Sequence, residues 1–177
     1  MIHVRASEVG DLAYARLVRE GLLGDALGPV ALPRDVQPNA ALRRLALAPF
    51  VPSHTWATGL AALWVWGHCP APETVDLVGA RGLHRIVPRT PTPTVVFHSG
   101  PAFGLPPGSE PRLASPARAC IDALRYGPVG PAIGAVVAAR RAGTVRADEL
   151  VRCARGVDAH TPRQEAIVRL ATLIASL

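Results

Sequence analysis

Residues 53–66 read SHTWATGLAALWVW. Trp56, Leu60, Leu63 and Trp64 recur at three- and four-residue intervals, the spacing of one helix face. Ser53 stands where an N-cap belongs and Gly67 where a helix ends. Two of the three tryptophans fall on that face, so the stretch is the expected central helix of the core. No Asp, Glu, Arg or Lys occurs from Leu45 to Pro72, although His54 and His68 sit inside, which raises the question of a membrane span. Four prolines bracket the stretch, and the proline-free piece, Ser53 to Cys69, only reaches the lower limit of about 17 residues for crossing a bilayer. The reading is a buried core helix, with His54 as an exposed or capping residue at its start.

Downstream, short apolar runs alternate with Gly, Pro and Thr. TVDLV (74–78), IVP (86–88), TVVFH (94–98) and RLAS (112–115) read as strands, and GARG (79–82) as a turn. They predict a small antiparallel sheet on which the helices pack. Ser115-Pro116 then gives an N-cap followed by Pro at the first helical position. That helix runs to Tyr126 with Ala119, Cys120, Ala123 and Leu124 inward. Helices follow at 131–141 and 144–155, the latter with Leu150, Val151 and Ala154 inward. A capping box at Thr161-Pro162-Arg163-Gln164 opens a final helix with a stripe of Ile167, Leu170, Ala171 and Ile174.

Upstream, Asn39 caps a helix over 39–48 with Leu42, Leu45 and Ala46 inward. Residues 22–33, broken at Gly24-Asp25 and Gly28-Pro29, predict a hairpin. Residues 7–20 predict a helix with Val9, Leu12, Ala13 and Leu17 on its apolar face and Gly21 as its left-handed terminator.

The chain has 177 residues, 49% hydrophobic and 18% charged, which excludes a disordered tail or a coiled coil. All nineteen basic residues are Arg and the net charge is +6. With an isoelectric point near 10.5, that balance suits a nucleic-acid partner. The absence of Lys removes Schiff-base, P-loop and lysine-dependent nuclease chemistry. Three cysteines without CxxC spacing point to a reducing cytoplasm rather than a disulfide framework. Six histidines give no metal-ligand spacing, and there is no G-x-S-x-G, so neither a metal, a cofactor nor a catalytic residue is expected. The densest basic stretch holds Arg140, Arg141, Arg146, Arg152 and Arg155. Asp148–Arg152 and Glu165–Arg169 have the i,i+4 spacing of solvated helix-face pairs.

The order of these pieces resembles the AbiEi family of antitoxin-type transcriptional regulators, over roughly residues 12–156. Ser53, His54, Ala57 and Gly67 match one of its motifs, His98 and Ser99 a second, and Ser115, Pro116, Ala117, Arg118 and Asp122 a third. The resemblance implies a winged-helix-like N-terminal segment, shortened and degenerate, over residues 1–38. It implies an AbiEi-like α+β domain over 39–160, and a C-terminal helix over 161–177 whose Glu165 and Arg169 resemble the opening of a nuclease-like domain. The function implied is a cytoplasmic, non-enzymatic repressor that binds operator DNA and pairs with a nucleotidyltransferase-like toxin. Arg5, Arg16, Arg19, Arg140 and Arg141 are the expected DNA contacts. The alternatives are a protein-interaction module without DNA binding and a degenerate relative of an endonuclease-domain protein.

Overall fold

The structure, a computed structural model, describes residues 3–80, 93–108, 110–156 and 162–177. Among them are eight α-helices and two three-stranded sheets, an α+β fold. The strand expected at 86–88, Arg81-Gly82 of the expected turn and the Thr161 cap lie outside the described residues.

The first unit is β1 (Val4–Arg5), α1 (Ala6–Val9), α2 (Asp11–Arg19), β2 (Leu23–Leu27) and β3 (Val30–Pro33), in an antiparallel sheet of order β1-β3-β2. The predicted hairpin is β2–β3. The single helix predicted at 7–20 is two, because Gly10 takes φ +86° and turns the chain between them. That turn resets the helical register, so periodicity read across it misassigns the inward face. Ala6 and Tyr14 are buried, whereas Leu12 is 90% exposed and Ala13 is exposed. Gly21, at φ +72°, ends α2 as expected: its N–H and that of Leu22 bond back to Val18 and Leu17.

α3 (Ala40–Leu47) starts where predicted, with Asn39 Oδ1 accepting from Leu42 N at 3.0 Å. Its buried residues are Ala46 and Leu47, while Leu45 turns out to solvent. A short 3-10 turn, Ala48–Phe50, follows.

The expected 53–66 helix is a strand joined to a shorter helix. Trp56–Thr58 forms β4 and α4 spans Gly59–Val65. His54, at φ +65°, lies in the exposed turn before β4 and caps nothing. The tryptophan spacing that looked helical belongs partly to β4, whose Trp56 pairs with Val78. Every residue of α4 is buried, so it is enclosed on all sides. Gly67 closes it at φ +83°.

The second sheet has order β4-β5-β6, with β5 at Thr74–Ala80 and β6 at Thr94–Gly100. It is mixed, not antiparallel: β4–β5 is antiparallel and β5–β6 parallel. Hydrophobic pattern marks a strand but not its direction. RLAS contributes one bridge, Leu113 to Ala57. The helices α5 (Pro116–Tyr126), α6 (Val129–Arg141), α7 (Ala147–Gly156) and α8 (Pro162–Ala175) do not all pack on this sheet as expected: α4 and α5 meet it, and α6, α7 and α8 pack on those two helices and on one another. Ser115 Oγ accepts from Arg118 N, as the Ser-Pro signal predicts. The Gln164 amide donates to the Ala154 carbonyl and ties α8 to α7.

Two cores meet at α4. On one side Leu60, Ala62 and Leu63 join Ala119, Ala123, Ala135, Val136, Leu150 and Ile167 of the helical layer. On the other, Trp64 and Val65 join Val75 and Leu77 of β5, Phe50, and Leu27 and Val30 of the hairpin. Residues 3–38 therefore share a core with the rest, through Leu27 and Val30.

Gly104 lies where the chain passes over α5. It has φ +73°, and a Cβ there would sit 2.7 Å from Arg118 Cβ. Gly104→Ala combines a left-handed alanine with a clash against a buried helix. The expected loss is about 2 kcal/mol, read from the urea midpoint.

Candidate nucleic-acid interface

α2 is pinned on one face and open on the other. Tyr14 OH donates to the Gly28 carbonyl at 3.0 Å, and burial pushes its phenol up to about 12. The opposite face carries Leu12, Arg16 and Arg19 at i, i+4 and i+7, one stripe of a 3.6-residue helix. Arg16 Nε bonds Glu20 Oε1 at 2.6 Å with both side chains well exposed. Such a pair contributes little, and the remaining guanidinium donors point to solvent contacts. Arg19 is exposed in the last turn. Arg5, exposed at the end of β1, pairs with Val30 across the sheet.

Arg5, Arg16 and Arg19 thus lie on one unit; Arg140 and Arg141 belong to α6. Arg140 serves the fold: its Nη1 donates to Val145 O at 2.8 Å and its Nη2 to Ala175 O at 3.4 Å, at the C-terminal end of α8. Arg141 is exposed. Of the neighbouring arginines, Arg146 and Arg152 both bond Asp148, at 3.1 and 2.8 Å. The Arg146 contact holds the Asp148 carboxyl below its usual range.

The hairpin is tied to the body through Asp25 of β2, which in the sequence marks only a break in the hairpin. Asp25 has φ +47° at an irregularity of β2. Its Oδ2 accepts from Arg43 Nε at 2.6 Å and its Oδ1 from Trp64 Nε1 at 2.9 Å. Arg43 also reaches the Trp64 carbonyl at 3.1 Å. On the other flank His3 Nε2 donates to Leu42 O at 2.9 Å. β2 and the residue before β1 are thereby fixed to α3 and α4. No local signal could have announced Asp25, whose partners are 18 and 39 residues away.

Two residues of the third motif, Arg118 and Asp122, build a second polar group with Thr58, inside the fold. Arg118, Asp122 and Thr58 are all fully buried. Arg118 Nε and Thr58 Oγ1 each donate to Asp122 Oδ2 at 2.7 Å. Arg118 Nη1 donates to the carbonyls of Pro101 and Phe103, at 3.0 and 2.8 Å. Desolvation pushes the Asp122 carboxyl up, against the lowering effect of Arg118 and Thr58. A group so enclosed cannot meet a ligand; it holds residues 101–103 on α5.

His98, from another motif, has Nε2 2.8 Å from Asp76 Oδ1 and stacks on Tyr126 with ring centroids 3.7 Å apart. Beside Asp76 lies a cleft of about 410 Å³ that also borders Leu60, Cys69, Glu73 and Pro131. Burial pushes the Cys69 thiol up to about 11, and those of Cys120 and Cys153 to about 12. That direction opposes thiolate chemistry. Among the described residues no three metal-ligating side chains converge, and no helix is long and apolar enough to cross a membrane.

Comparison with known proteins adds no relative: no protein-family model matches the chain, and no curated protein matches it.

Proposed function

We propose that this chain is a non-enzymatic regulator of the AbiEi antitoxin type, acting in the cytoplasm, which binds operator DNA through its N-terminal unit and pairs with a nucleotidyltransferase-like toxin. The observation that carries the DNA half is the unit's topology. A strand, two helices meeting at a glycine and a hairpin, in sheet order β1-β3-β2, support the comparison with a winged helix that lacks its leading helix. In that comparison α2 would be the reader, and its Arg16 and Arg19 are exposed. In winged and related helix-turn-helix proteins the second helix of the pair enters the major groove. Arg5 joins these two as a backbone contact, and Arg141 is a further candidate from α6.

The test is a gel shift with the DNA upstream of the protein's own gene, run across a salt series. Retardation at low salt that weakens steeply as salt rises is the expected result. Arg19→Ala should lower affinity for all sequences alike and reduce the salt slope by about 1. Absence of retardation at low salt sinks the DNA half.

A second reading, a protein-interaction module, is favoured by one observation. Residues 3–38 carry four arginines against five acids, a weak charge for gripping phosphates. It would show as capture of a toxin-like partner by a protein that retains no DNA.

A further inference from the structure

Leu12 is the most exposed large apolar side chain among the described residues, at 90%. A leucine held in water forfeits the stabilisation that burial gives, and the fold does not require it there. Tyr14 and Leu17 make the packing contacts of α2, and Gly10 makes its junction with α1. Ala13 beside it is also exposed, and Val9 across the junction is 41% exposed. The outward stripe of α2 is therefore graded: apolar at its N-terminal end, guanidinium-bearing at Arg16 and Arg19.

That grading matches how a reader helix divides its work. Its N-terminal residues reach base edges, while Arg side chains further along meet phosphates or guanine. The apolar group on the floor of the major groove is the 5-methyl of thymine; the other bases present only donors and acceptors there. A leucine set against those polar edges would strip their water and return no hydrogen bond, so it discriminates by exclusion as well as by attraction. We infer that Leu12, assisted by Ala13, is a specificity contact for thymine methyl groups, and that the operator carries thymine under the start of α2. This rests on the DNA-binding reading above.

The experiment uses the full chain and two duplexes of its upstream DNA, identical except that one has deoxyuridine at every thymine. The pairing is unchanged and only the methyl groups are removed. Wild-type protein is expected to bind the uracil duplex more weakly, by about threefold to fivefold per methyl contacted. Leu12→Ala changes an exposed position to a better helix former. It should fold normally, bind the thymine duplex more weakly, and lose most of the preference between duplexes. The variant's ratio also subtracts whatever uracil does to the duplex itself. Equal wild-type affinity for the two duplexes, or an unchanged preference in Leu12→Ala, overturns the inference while leaving DNA binding intact. If neither duplex is retained at low salt, the DNA reading falls and takes the inference with it. If Leu12→Ala converts a sedimenting dimer to a monomer, the face belongs to a second copy of the chain and the inference is likewise overturned.

Discussion

Arg118→Met is expected to destabilise the protein by about 3–5 kcal/mol, because it leaves the buried Asp122 carboxylate without its counter-charge. Asp122 is 0% exposed, so water cannot take over from the guanidinium. The same change frees the Pro101 and Phe103 carbonyls. Pairing an apolar Asp122 with the variant, as in Arg118→Met with Asp122→Leu, should recover a large part of the loss. Removing both charges removes the desolvation cost as well as the attraction. Among the described residues, Arg118 Nη2 and Asp122 Oδ1 lack hydrogen-bond partners, so the native pair itself offsets its desolvation incompletely. The pH dependence has a definite sign. A carboxyl whose folded pKa is raised binds protons more readily in the native state. Its contribution to stability is complete below the unfolded value and is lost as pH rises through the folded one. Without Arg118 that folded value moves higher still. The penalty of Arg118→Met should therefore shrink in acid relative to wild type, as followed by urea unfolding at several pH values. A penalty below 1 kcal/mol at neutral pH would show that the pair carries no such load.

Trp64→Ala comes next, at about 3–5 kcal/mol. The indole is fully buried between β5, Phe50 and the hairpin. Its loss opens a large cavity and takes away one of the two donors on Asp25. Trp64→Phe separates the two effects, since it fills much of the volume but cannot donate. It should cost about 1–3 kcal/mol, from the unmet Asp25 oxygen. Hydrogen exchange supplies a second readout. In Trp64→Ala the amides of β2 and β3 should lose protection more than those of α6 and α7, which pack in the other core. Uniform loss across both would mean that the hairpin does not depend on this contact.

The elements legible in the sequence were those whose signals are local. Asn39 and Ser115 sit within three residues of the N–H groups they cap. The stripe of Ile167, Ala171 and Ile174 completes its period inside one helix. What was not legible depends on distant partners or on a change of backbone direction. Gly10 breaks a helix in mid-pattern, so periodicity read across it puts Leu12 in the core that it faces away from. Trp56 and Leu60 have helical spacing, yet the chain is extended at one and coiled at the other. The parallel pairing of β5 and β6 has no signature in either strand. Within the candidate interface, Arg16 and Arg19 follow from the family resemblance and the basic balance, and the structure leaves both exposed. Arg140 rests on the same reading, yet its Nη1 and Nη2 donate to two backbone carbonyls, and charge counting does not separate a solvent-facing arginine from one that closes helix ends.

The bond network at Asp25 makes the proposed reader and the body one mechanical piece. A cut after residue 38 would not release a free-standing module: it would wet Leu27 and Val30, and strip the carboxylate of Arg43 and Trp64. The angle at which α2 faces outward is thus inherited from α3 and α4 rather than set by a tether. Such a head can turn toward a target only if the whole molecule turns with it.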